Sequence, residues 1–76
     1  MNREITHVQA RQLRVGDVLV NPAGSEFTIT KVAPIGRGYR VHYLRSGGEA
    51  GAFTAAPEAI TRVGVPRPHD RLAATA

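Results

Sequence analysis

Between residues 15 and 48 short β-prone runs alternate with glycine-bearing turns. Val15-Gly16-Asp17 opens one run, Gly36-Arg37-Gly38 divides two more, and Ser46-Gly47-Gly48 closes the last. This punctuation constrains the fold more than any other feature, because it spells short strands joined by tight reversals, the grammar of a small all-β antiparallel barrel. Asn21-Pro22-Ala23-Gly24 carries turn chemistry of its own: Pro22 presets φ at the second position and Gly24 tolerates positive φ after it. Residues 26–32 give the clearest alternation, with Phe27 and Ile29 on one face and Thr28 and Thr30 on the other. Pro34, Gly36 and Gly38 then predict an exposed loop over residues 33–38 tipped by Arg37. Residues 39–45 set Tyr39, Val41 and Tyr43 against Arg40, His42 and Leu44, and the aromatic face is the better core candidate.

The remaining segments are weaker. Residues 4–8 have β-prone composition and an imperfect period, consistent with an edge strand or an extended arm over residues 1–9. Residues 10–13 are too short for an independent helix and suggest a helical or irregular turn that drops Leu13 into the core before a strand at 17–20. Phe53 centres a strand at 50–54 whose small neighbours suggest close backbone approach. Pro57 suits the first position of one helical turn through Ala59, and residues 60–63 supply the last strand. The expectation is about five strands, one domain over residues 1–64, and a disordered tail over 65–76, where Pro66 and Pro68 punctuate a segment with little to bury.

Seventy-six residues leave room for one core, and a chain near this size buries only about 60% of its unfolded surface. Without cysteine, neither disulfides nor a cysteine zinc site can staple it. The first nine residues lack the apolar stretch of a signal peptide, and no run approaches membrane-spanning length, so the expectation is a cytoplasmic protein without membrane contact. His7, His42 and His69 match no compact ligand spacing, so no metal or other cofactor is expected. Ser25 and Ser46 sit in turns without an evident His and acid partner, and Asp17 reads as a turn residue bonding nearby backbone amides. No catalytic residue and no enzyme activity are expected. Gly36-Arg37-Gly38 leads into no helix and does not suit a phosphate-cradling loop.

Charge is distributed unevenly. Residues 27–48 contain Lys31, Arg37, Arg40 and Arg45 and no acid, while the rest of the chain holds six basic and six acidic residues, so the net +4 is local. Arg40 and His42 share a strand face, with Arg37 and Arg45 near its ends, which makes a basic stripe that suits a phosphate backbone. The bland counterpart is an ordinary solvated face, since roughly one random draw in nine would give four basic residues from this set. Tyr39 and Tyr43 read as core, with base stacking as the less favoured alternative.

The order of parts resembles the SH3-like barrel superfold in its small KOW and Tudor-like versions. The matching residues are Val15-Gly16-Asp17-Val18-Leu19-Val20, Phe27-Thr28-Ile29-Thr30-Lys31-Val32, Tyr39-Arg40-Val41-His42-Tyr43, Phe53, and the turn and strand from Pro57 to Val63; together they lie within residues 13–63. The resemblance implies a fold and not a function. KOW-like modules contact nucleic acid or protein partners, whereas Tudor-like modules use aromatic cages, and four aromatics in a core this small leave few to spare. The expected function is therefore contact with DNA or RNA backbone through Lys31, Arg37, Arg40, His42 and Arg45. The alternative is a protein-interaction module meeting an acidic protein surface or a larger partner. It would dock through exposed Leu19 and Leu44, or through an unpaired edge at residues 5–8 that also allows self-association.

Overall fold

Within residues 4–68, which the computed structural model describes, the short runs become six strands. These are β1 (Ile5–Gln9), β2 (Val18–Val20), β3 (Glu26–Ile35), β4 (Gly38–Arg45), β5 (Ala50–Ala55) and β6 (Ile60–Gly64). All pair antiparallel in one sheet of order β1-β6-β2-β3-β4-β5. The sheet is open, since β1 and β5 are its edges and do not pair with each other. The count is six rather than five because residues 5–9 pair with β6 along their whole length, from Ile5 opposite Gly64 to Gln9 opposite Ile60.

Two local expectations are corrected. The loop expected over 33–38 shrinks to Gly36 and Arg37, because β3 continues through Pro34 to Ile35 and pairs there with Gly38. Pro34 is tolerated because β2 covers only Glu26, Phe27 and Thr28; beyond them β3 has no strand on its other side to require the missing N–H. Gly36 takes φ +56 and, among the described residues, only glycines take positive φ, the glycine-first arrangement of a two-residue hairpin turn. The helical turn expected after Pro57 is instead a β-turn in which the Ala59 N–H donates to Ala56 O at 3.1 Å. The Pro57 and Ala59 carbonyls accept from the Arg11 and Ala10 amides at 3.0 and 2.8 Å, so this turn docks on the Ala10–Gln12 segment. That segment is the one 3-10 helix among the described residues, and it delivers Leu13 to the core as its sequence suggested.

Ala10, Leu13, Leu19, Ile29, Val41 and Val63 form the buried cluster, with Val8, Phe27, Val32, Tyr39 and Phe53 packed around it. Leu19, expected to be exposed, is buried because β2 lies between β3 and β6, opposite Phe27 and Val63. The aromatic face of β4 is the inward one, as its alternation indicated: Val41 is fully buried and pairs with Phe53 and Val32. A register shift between Ile29 and Lys31 leaves Thr30 without a cross-strand partner. This bulge lets Ile29 and Val32 both point inward while Lys31 and Ala33 point out.

Val15-Gly16-Asp17 closes the sheet's middle. Gly16 has φ +96, its N–H donates to Ile29 O at 2.8 Å, and the Ile29 N–H donates to Asp17 O at 2.8 Å, so two residues face one in a glycine bulge. Asp17 is 0% exposed, and its Oδ2 accepts the Arg14 N–H at 2.9 Å, the turn role read from sequence. Arg67 answers the buried charge: Nε donates to Oδ1 at 3.1 Å and Nη2 to Oδ2 at 2.8 Å, while Nη2 also reaches Gln12 O at 2.7 Å. The chain after β6 thus returns to the sheet. Pro68 comes to rest near Gly16, and residues 69–76 of the expected tail lie outside the described residues.

Candidate functional site

In an antiparallel pair, residues directly opposite each other share a face with Cβ atoms about 4.5–5.5 Å apart. Because the bulge at Thr30 resets the parity of β3, Lys31 lies opposite His42 and Ala33 opposite Arg40. On β5, Ala52 continues the row of His42 and Thr54 the row of Arg40. A third row is Thr28, Leu44 and Ala50. The solvent face of β3–β4–β5 is therefore a platform of small residues from which Lys31, Arg40 and His42 rise together, with Lys31 and Arg40 exposed. Arg37 stands at the hairpin tip beyond the Arg40 row. Glu26 shares this parity but lies two rows from Lys31, about 13 Å along the strand and beyond a Debye length of about 8 Å. Leu44 is 42% exposed on the same face.

Arg45 is not part of that group. It alternates with Tyr43 and pairs with Phe27, which puts it on the opposite face, and its guanidinium carbon sits 5.4 Å from the Phe27 ring centroid. The stripe proposed from sequence spans both faces of the sheet: Lys31, Arg40 and His42 converge, Arg37 caps one end, and Arg45 is turned away.

On Arg45's face lies a row of three aromatic rings. Phe27, Tyr43 and Phe53 stack in series, with centroids 5.2 and 6.1 Å apart and tilted planes. They are only half-buried, since Ile29, Val41, Val63 and the leucines already fill the core. Their exposed sides line a pocket of about 290 Å³ together with Leu19, Asn21, Ile60, Thr61 and Arg62. Tyr43 can lie across β5 because its cross-strand partner is Gly51: a Cβ there would meet the phenol oxygen at 2.5 Å. The signal was present in the small residues around Phe53, but nothing in the sequence said which ring filled the space.

Among the described residues, no three or more His, Cys, Asp or Glu side chains converge as metal ligands, and no helix is long and apolar enough to cross a membrane. His7 lies on β1 and His42 on β4, and His69 is outside the described residues. Compared with protein families, curated proteins and solved structures, the chain shows no match.

Proposed function

We propose that this chain is a small, non-enzymatic SH3-like module that contacts a nucleic-acid backbone through the outer face of β3–β4–β5. The observation that carries the reading is the register, which sets Lys31 beside His42 and one row from Arg40 on a flat, small-residue surface, with Arg37 at the tip. Ala33, Ala50, Ala52 and Thr54 leave the cationic heads unobstructed, so a phosphate chain can approach several of them at once. Residues 27–48 hold no acid, and Glu58 lines a hollow with Arg37 at the tip, so the positive charge rests chiefly on Lys31 and Arg40. Backbone contact suits this surface better than groove readout, since it offers no recognition helix and few hydrogen-bonding side chains for base edges.

The test is affinity for short DNA and RNA against salt. Three phosphate contacts predict a log-log slope near −3 on duplex DNA, flattening when Lys31 and Arg40 are changed to Glu. No binding at low salt would overturn the reading. A second reading has its own observation: β5 is an edge strand, and Leu44 stands 42% exposed beside it, a strip suited to docking a partner strand or another copy of this chain. Recovery of one defined protein partner after nuclease treatment, lost on Leu44→Lys, would favour that class.

A further inference from the structure

We infer that the aromatic pocket on the opposite face receives an unstacked base of a single-stranded nucleic acid. The inference rests on the nucleic-acid reading and adds to it which form of nucleic acid is bound and where. Phe27, Tyr43 and Phe53 line a pocket of about 290 Å³ as a tilted row of three rings, just below the usual range for small-ligand sites, about 300–1,000 Å³. A planar aromatic ring is the occupant such a wall holds best, and any base can supply one.

Charge selects among planar occupants. Arg62 lines the pocket, its Nε fixed by donation to Val20 O at 3.1 Å, and Arg45 lies over the outer ring, Phe27. No acidic side chain is among the lining residues, and Glu49, paired through its backbone to Arg45, is in the adjoining turn. A quaternary or methylated ammonium would meet the Arg62 cation with no acid in the lining and is disfavoured, whereas a ring tethered to a phosphate is favoured. Asn21 adds a polar handle. Its Oδ1 accepts the Ser25 N–H at 2.9 Å, so Nδ2 is the end left to donate to a base-edge acceptor. Duplex DNA keeps its bases stacked and cannot fill the pocket; a single strand can.

The experiment compares a fluorescent thymidine decamer with a ten-base-pair duplex, using the full chain and three variants. Phe53→Leu removes one π-face but keeps an apolar group against Val41. Ile60→Gln alters the pocket mouth at a residue 64% exposed, so folding is spared. The third variant carries Lys31→Glu and Arg40→Glu. The expected result is that each pocket variant lowers single-strand affinity, Phe53→Leu by about tenfold, with duplex affinity unchanged. The double charge variant should lower both. If both pocket variants bind the decamer like the parent while the charge variant loses it, the pocket inference falls and the proposed function stands. If the parent binds neither polymer, both fall. Preferential occupation of the pocket by an acidic, phenylalanine-containing peptide, read from aromatic ring NMR shifts, would also overturn the inference.

Discussion

The β3–β4 hairpin and the Asp17 junction solve different problems with opposite means. In the hairpin, neighbours in space are neighbours in sequence, joined by the two-residue turn at Gly36 and Arg37, and Lys31, Arg37 and Arg40 stand exposed on it. At the junction, Asp17 and Arg67 are 50 positions apart, and their charges are withdrawn from water and matched by two hydrogen bonds. A charge that holds the fold cannot be given to a partner. The comparison therefore separates charge buried in the fold from charge left in water: Asp17 and Arg67 belong to the first kind, Lys31, Arg37 and Arg40 to the second.

Breaking the junction should have the largest effect. Arg67→Met leaves a carboxylate buried with its main cation gone, a loss of about 3–5 kcal/mol by the usual cost of splitting a buried pair. That is most of the stability of a domain this small, and a thermal melt should show a fall in midpoint of more than about 12 °C. Asp17→Asn combined with Arg67→Met should recover part of the loss, because no uncompensated charge remains. Next is Ile29→Ala beside the same junction, expected to cost about 2–5 kcal/mol through lost burial and the cavity left behind. Gly36→Ala at the hairpin tip should cost only about 1–2 kcal/mol, since the penalty is that of one side chain held at positive φ. Lys31→Glu with Arg40→Glu should shift stability by less than about 0.5 kcal/mol per site, read by urea titration, while altering binding most. A large stability loss there would mean that these charges are structural and that the distinction between the two regions is false.

The same distinction explains what the sequence disclosed. The alternation of residues 39–45, the turn at Asn21-Pro22-Ala23-Gly24 and the capped backbone around Asp17 were legible because each depends on local spacing or on φ. The Gly24 N–H donates to Asn21 O at 2.8 Å, and Gly24 takes φ +92, as the turn chemistry required. The bulge at Thr30 was not legible: strict alternation from Phe27 and Ile29 would carry Lys31 onto their face, and only the pairing with β4 shows that one inserted residue moves it to the side of His42 and Arg40. Arg45 was misplaced for the converse reason. Its parity with Tyr43 was visible, but proximity along the chain was mistaken for a shared face. The strand character of Pro34 depended on the shortness of β2, and the role of Arg67 on a charge buried 50 positions away; neither is a property of a local window. The partial exposure of Phe27, Tyr43 and Phe53 followed from how much of the core the aliphatic residues fill, which composition alone does not state.

The outer face of β3–β4–β5 is proposed as a phosphate-binding surface. Its most direct measurement is the salt dependence of binding to a short DNA duplex, made on the parent chain and on the variant carrying Lys31→Glu and Arg40→Glu. The account predicts a parent slope near −3 that flattens by about two units in the variant, one for each cation removed. A parent that does not bind at low salt, or a variant with the parent's slope and affinity, would contradict it.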